Sequence, residues 1–381
     1  MLIALTANTK GELKKGMPKD FYAEFDSPET INAIKNALES GGNTVKNIEA
    51  DENAYEKLKK LKPDIVFNFS EGVRGESRES HIAAICEMLG IPYTGAGVLT
   101  SAIILNKART KEILDYYNIP TPRFQVFKTI KEKLNPELNF PLLIKPVAEG
   151  SSKGIRNKSL VNNEKELKKM VKWLLETYNE PAVVEEFIEG KEVTVGVVGN
   201  DENDIIVLPL VGIDYENLPE GVHHFDSYEV KWEYDSPENP VVKVNCPAKI
   251  DKKVEKRIRN IAKYAFIILN CRDWARVDFR IKDGIPYILE LNVPVGLLPD
   301  PEDNSRFPLA TRTIGFDFNE TVNIILYFAL KRTGLIKKAD KKYFNKLVKK
   351  LDDYVKKGLP LKDEIYLRKQ IEVILTNLQK N

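Results

Sequence analysis

The stretch that most constrains this chain runs from Asp273 to Pro299, D-W-A-R-V-D-F-R-I-K-D-G-I-P-Y-I-L-E-L-N-V-P-V-G-L-L-P. Residues 276–282 alternate polar and apolar, Asp283-Gly284 is a type I′ turn signal, and residues 286–292 return. A strand sends side chains i and i+2 to one face. Arg276, Asp278 and Arg280 therefore share a face, as do Glu290 and Asn292, while Val277, Phe279, Ile281, Leu289 and Leu291 are expected against a core. Such a hairpin sets Asp278 opposite Glu290 and Asn292, three hard oxygen donors of the kind that hold Mg²⁺ beside substrate phosphates. Arg276 supplies a cation for a transferring phosphoryl group or the oxyanion that follows. An exposed edge with ordinary charges is the alternative reading of the same residues.

A chain of 381 residues with a 43% apolar share can fill two or three domain cores. Its formal charge of +2 argues against a nucleic-acid partner. The charge is unevenly placed: residues 335–381 carry 13 Lys+Arg against 6 Asp+Glu, which reads as a solvated amphipathic helix pair or a partner surface. Cys86, Cys246 and Cys271 show no metal-ligand spacing and read as reduced thiols. His81, His223 and His224 are too scattered for a zinc site. No apolar run approaches the roughly 18 residues of a membrane span, and Met1–Leu5 enters a strand without a signal-peptide pattern, so a cytoplasmic protein is expected.

Strands at 2–6, 45–48 and 64–69 alternate with helices at 27–40, 51–61 and 77–89, which predicts a parallel sheet with covered faces. Ligands of such sheets sit beyond the strand carboxyl ends, which makes Glu71, Arg74 and Glu76 candidate substrate contacts, with a solvated turn as the alternative. Further expected elements are a helix at 99–117 carrying Asn106-Lys107, a strand at 142–146 ending on Lys145, and a helix at 164–178. Strands at 182–188 and 192–199 and a helix at 251–269 follow. Ala148–Gly154 is a glycine- and serine-rich loop of the kind that cradles phosphate, though not a Walker A. Glu185 and Glu192 flank Phe187-Ile188, a combination that suits an adenine slot and a ribose or a charged hairpin rim. Residues 212–245 form a long polar loop, the usual form of a lid. Helices are expected at 319–331, 341–357 and 362–380.

Taken together, Gly90–Gly97 (G-I-P-Y-T-G-A-G), Asn106-Lys107, Leu142–Pro146, Glu149–Ser152 (E-G-S-S), Val184–Val193, Arg276–Phe279 and Glu290–Asn292 occur in the order found in ATP-grasp ligases. From about Asp64 to Ile336 the chain resembles the D-alanine–D-alanine ligase family. The resemblance implies an ATP-grasp α/β fold: an N-terminal parallel α/β domain (1–98), two ATP-grasp α+β subdomains (99–188 and 189–334) and a basic helical extension (335–381). It implies ATP and two Mg²⁺ ions, with Mn²⁺ as a substitute, and an acyl-phosphate route to a peptide or amide bond.

By resemblance, Lys107 and Lys145 bind the α- and β-phosphates, and Glu149, Ser151 and Ser152 lie in the loop over the terminal phosphates. Glu185 takes the adenine amine, Phe187 and Ile188 give backbone contacts, Glu192 takes the ribose, and Phe279 and Leu289 complete the nucleotide pocket. Asp278, Glu290 and Asn292 hold the metals, and Arg276, Gly296 and Ser152 serve the chemistry. The amino-acid half departs from the family. Glu71-Gly72 stands where the family has His-Gly, Asn8–Glu12 replaces its glycine-serine-glutamate loop, Asp226, a further candidate substrate contact, follows Phe225 where a tyrosine is usual, and Pro294–Pro301 replaces P-G-M-T and the serine-leucine run. The implied substrates are small amino acids or peptides, D-alanine or others. A non-catalytic ATP-binding homologue is the further alternative, and a homodimer is an assembly the resemblance allows.

Overall fold

The computed structural model describes residues 1–235 and 239–357. Leu2–Ala7 is almost wholly buried and pairs in parallel with Thr44–Glu49 on one side and Ile65–Phe69 on the other. Helix Pro28–Ser40 begins where expected, because the Ser27 side chain accepts from the Thr30 N–H and proline occupies the first turn. The helix expected from Asp51 starts only at Ala54, since the Asp51 carboxylate accepts from the Asn53 N–H at 2.9 Å and turns the chain first. The helix expected from Ser77 opens as a 3-10 turn, Arg78–Ser80, before His81–Leu89. At the strand carboxyl ends Asn8 acts as a staple. Its Nδ2 donates to the Ala50 carbonyl, and its Oδ1 accepts from the N–H groups of Glu71 and Gly72.

The helix expected over 99–117 is two helices, Val98–Leu105 and Lys107–Tyr116. Asn106 breaks them apart at φ −84°, ψ 97°, and its side chain caps the second by accepting from the Arg109 N–H. Beyond them a four-stranded antiparallel sheet forms in the order Phe124–Phe127, Ala182–Glu186, Leu142–Pro146, Leu160–Val161. Its strand from Ala182 stops at Glu186, short of the expected Ile188, and the chain passes through Gly190 into Lys191–Gly199. Gly190 stands at φ 140°, and a Cβ there would lie 2.0 Å from the Ile281 carbonyl oxygen. Lys191–Gly199 opens a six-stranded sheet in which it lies against Asp273–Lys282, itself paired with Ile285–Asn292.

The loop expected over 212–245 carries regular structure, with strands Val211–Asp214 and Lys243–Asn245 and a π-helical turn at Val230–Tyr234. After the polar loop expected over 300–306 comes a helix that the sequence alone did not suggest, Arg306–Thr313, with Pro308 in its first turn. Helix Phe318–Arg332 packs on helix Pro28–Ser40, where the Asn323 Nδ2 donates to the Ala37 carbonyl at 2.6 Å. One core therefore joins Ile3 and Phe67 of the first sheet to Val277 and Ile325 of the last unit. The four-stranded sheet has its own core around Ile144, Leu174 and Val184. Helix Lys341–Lys357 is seated on the main core through Phe344, Leu347 and Leu351 rather than standing off as a solvated element. The helix expected over 362–380 lies outside the described residues. Among the described residues no helix is long and apolar enough to cross a membrane.

Candidate active site

All three sheets line one cleft with a cavity volume of about 420 Å³. Its floor is the hairpin. Asp283 and Gly284 stand at φ 51° and 73°, as a type I′ turn requires. Arg276 pairs with Asn292 and Asp278 with Glu290, and then the register slips so that Phe279 faces Ile288. Leu289 is the extra residue of this bulge, and the slip inverts the faces that follow. Ile288 is consequently fully buried in the core, whereas Leu289, expected there, lines the cleft. Phe279, expected at the nucleotide pocket, is fully buried in the main core and is not among the lining residues.

Asp278 is clasped from three sides. Arg276 donates from Nε to Oδ1 at 2.9 Å and from Nη2 to Oδ2 at 2.7 Å, Asn292 Nδ2 donates to Oδ2 at 3.1 Å, and the Thr194 hydroxyl donates to Oδ1. Burial acts to raise the Asp278 carboxyl, but Arg276 outweighs it and holds the group below the ordinary range. Glu290 and Asn292 line the cleft beside it. With its amide turned end for end, Asn292 offers a carbonyl oxygen, and the set of two carboxylates and one amide suits a hard divalent cation.

The facing wall carries buried lysines. Lys107 follows the helix break and donates to the Glu149 carbonyl. Lys145, at the end of its strand, lies 2.6 Å from Glu185 Oε1, and Lys111, one turn beyond Lys107, lies 2.9 Å from Glu185 Oε2. Burial acts to raise the Glu185 carboxyl; the two ammonium groups outweigh it and bring it down to about 2. Phe187 and Ile188 line the cleft, but the Phe187 N–H is engaged by the Pro141 carbonyl and the Ile188 carbonyl by the Arg280 guanidinium. Glu192 is held by Arg280 at 3.1 Å and by the Tyr215 hydroxyl at 3.0 Å, and burial nonetheless pushes its carboxyl up.

The glycine-serine loop lies under the long polar segment. Ser151 and Ser152 stand at positive φ, 47° and 60°. The Ser152 hydroxyl donates to the Asp226 carbonyl at 2.6 Å, Trp232 Nε1 donates to the Ser151 carbonyl at 3.2 Å, and the Tyr228 N–H donates to the Ile155 carbonyl at 2.8 Å. The Asp226 carboxylate reaches back to Arg306 at 3.0 Å. Lys231, Trp232 and Arg306 line the cleft; the first two fall in the segment expected as a lid, without a site role of their own, and Arg306 was assigned none. A large aromatic in a polar loop, as at Trp232, was the available signal. Gly296 lines the cleft, and its carbonyl accepts from the Ser305 hydroxyl at 3.2 Å.

The N-terminal end of the cleft divides the expected substrate residues. Glu71 lines it, whereas Arg74 and Glu76 are exposed and outside it. The reason is local: Gly72 stands at φ 77°, where a Cβ would lie 2.3 Å from the Arg78 carbonyl oxygen. The tight turn presses residue 78 inward and leaves the loop tip to solvent. Arg78 is buried and donates to both Glu24 oxygens at 2.7 and 2.9 Å, to Glu149 at 3.0 Å and to the Ala148 carbonyl at 2.7 Å. Glu24 also accepts from the Gly150 N–H, so this knot ties the first domain to the glycine-serine loop. Glu71, Glu79 and Glu24 bring carboxylate oxygens within 4.8 Å of one another. Burial, with Arg78 opposing it, pushes Glu79 up to about 8, and burial pushes Asp26 up to about 7.

Known proteins share this architecture. A family model described as D-ala D-ala ligase C-terminus matches residues 112–327. A D-alanine--D-alanine ligase of Aquifex aeolicus is 34% identical over 303 residues, covering 79% of this chain and 94% of that one. The solved structure of D-alanine--D-alanine ligase from Bacillus anthracis complexed with ATP is similar at a TM-score of 0.65 and 23% identity, covering 87% of this chain and 98% of that one. The VanG D-Ala:D-Ser ligase from Enterococcus faecalis is similar at a TM-score of 0.65 and 24% identity, covering 86% and 99%.

Proposed function

The chain belongs to the D-alanine–D-alanine ligase family, whose members are ATP-dependent, ADP-forming carbon–nitrogen ligases, and from that premise we propose how its cleft works. The reaction joins a carboxylate to an amine through an acyl phosphate. A carboxylate is a poor electrophile; phosphorylation gives it a good leaving group, and the amine then attacks. The protein's task is to position the reactants and neutralise charge in a closed site.

The observation that carries this reading is the hairpin face. Arg276, Asp278, Glu290 and Asn292 converge on the cleft opposite Lys107, Lys145 and the glycine-serine loop. Asp278, Glu290 and Asn292 would hold Mg²⁺, which when bound supplies charge neutralisation to the phosphates. Lys107, Lys145, Ser151 and Ser152 would orient the triphosphate. Glu185 would accept from the adenine amine, with Leu289, Phe187 and Ile188 at the base and Glu192 at the ribose. Arg276 would release Asp278 and turn its guanidinium to the transferring phosphoryl group, with the backbone at Gly296 beside the tetrahedral oxyanion. The contacts of Ser152, Trp232 and Tyr228 that close the polar segment over the loop would exclude water, which otherwise hydrolyses the acyl phosphate.

A second reading concerns the substrates. Glu71 stands at the N-terminal end with Glu79 and Glu24, so that end is acidic and suited to an ammonium group. We propose an amino acid or peptide there, with D-alanine as one of the pool to be tested. Incubation with Mg·ATP and pools of amino acids is expected to give substrate-dependent ADP, and Glu290→Gln is expected to abolish it. ATP binding with no turnover in any pool would instead favour a non-catalytic homologue.

A further inference from the structure

Lys111 is a deeply buried charge beside the cleft, and no step above uses it. Its side chain is 1% exposed and it does not line the cavity. It sits four residues after Lys107, so both project from one face of the helix Lys107–Tyr116. Its ammonium group meets Glu185 Oε2 at 2.9 Å and donates to the Thr121 hydroxyl at 3.0 Å. That hydroxyl donates in turn to the Ile288 carbonyl at 2.9 Å, and the Ile288 N–H returns to the Pro120 carbonyl at 2.8 Å. Ile288 immediately precedes Leu289 and Glu290 on the hairpin. The lysine thus has one contact to the base end of the cleft and one, through Thr121, to the strand that carries the hairpin's acid.

Glu185 has two cationic neighbours of different kinds. Lys145 lines the cleft and can be drawn to a polyanion placed there, whereas Lys111 is walled off from the cavity. When Lys145 is shared with a triphosphate, Lys111 is the counter-charge that remains. A charged carboxylate only accepts hydrogen bonds, while a protonated one also donates. A carboxylate kept charged therefore favours a base that presents an amino group and disfavours one that presents a carbonyl at the same position.

We propose that Lys111 is a positioning residue of the nucleotide site, a fixed counter-charge that keeps the Glu185 carboxylate charged and aimed into the cleft, so that the site selects an amino-bearing purine over an oxo-purine. Burial lowers the Lys111 ammonium itself, and the proximity of Glu185 opposes that fall, so the pair is mutually sustained. The inference rests on the proposed nucleotide site.

The test uses the full-length protein and equilibrium binding of Mg·ATP and Mg·ITP, which differ by an amino group against a carbonyl. Wild type is expected to prefer Mg·ATP by about tenfold or more, the range of one mispaired buried polar group. Lys111→Met is expected to bring the two affinities to within about twofold of each other, mostly by weakening Mg·ATP, while Lys111→Arg keeps the preference. Where Lys111→Met does not fold, Lys111→Gln removes the charge but keeps a donor for Thr121, and the same collapse is expected. A folded, uncharged variant with the wild-type ratio overturns the role of Lys111 alone. Wild-type protein that binds neither nucleotide overturns the nucleotide-site reading itself.

Discussion

The two ends of the cleft treat a buried carboxylate in opposite ways. At the base end Glu185 lies between Lys111 and Lys145, and its carboxyl is brought down to about 2. At the N-terminal end Glu71, Glu79 and Glu24 crowd together, Arg78 is already committed to Glu24 and Glu149, and Glu79 is pushed up to about 8. The first arrangement pairs one carboxylate with two cations, as suits the nucleotide site proposed there. The second is more acidic than Arg78 can neutralise, as suits the ammonium group proposed there. The difference separates two electrostatic designs: Glu185 is matched by two cations, whereas Glu71, Glu79 and Glu24 share Arg78 among them.

The contrast can be broken most forcefully at Arg78. Arg78→Met takes from the buried Glu24 carboxylate its close counter-charge, while Glu149 keeps Lys153 at 2.8 Å, and a loss of about 3 kcal/mol in chemical denaturation is expected, as for other broken buried pairs. A loss under about 1 kcal/mol would mean the knot is a surface-like pair. On the nucleotide side, Lys145→Met is expected to lower kcat/KM for ATP by about a hundredfold with the fold retained, read from ADP formation and thermal unfolding.

The pH dependence separates the ends more finely. Glu79 has a folded-state value of about 8 against an ordinary 4.5, so its contribution to stability is full below about pH 4.5 and is lost as pH rises through 8. Glu185, lowered to about 2, contributes above its ordinary range and loses that contribution only in strong acid. The unfolding free energy between pH 5 and 8 is thus expected to fall by up to about 1.4 kcal/mol per pH unit for each such proton, Asp26 at about 7 adding to Glu79. Glu79→Gln is expected to flatten that slope, and an unchanged slope would remove Glu79 from the account. The smallest effect is expected at Asn106→Ala, where loss of the helix cap costs about 1 kcal/mol and weakens Mg·ATP binding through Lys107 while leaving the acidic end untouched.

What the sequence revealed follows the same division. The hairpin was readable because Asp283-Gly284 fixes its turn and alternation fixes its faces. The bulge at Leu289 was not, since one inserted residue inverts the faces of a strand without a mark in its composition. Lys111 was accessible through its spacing from Lys107, yet its partner Glu185 lies 74 residues on, and only the sheet brings them together. Arg78 meets Glu24 across 54 residues for a similar reason, and the Gly72 turn that sends Arg74 and Glu76 outward became legible only with the backbone in place. The helix Arg306–Thr313 was hidden by Pro308 and the polar run before it.

The central claim is that the hairpin carboxylates hold a divalent ion against a nucleotide's triphosphate. Its most direct test is Mn²⁺ binding, followed by electron paramagnetic resonance, with a non-hydrolysable ATP analogue on wild-type protein and on Glu290→Gln. The account predicts nucleotide-dependent Mn²⁺ binding by the wild type and its loss in the variant. Equal binding by both proteins would contradict it.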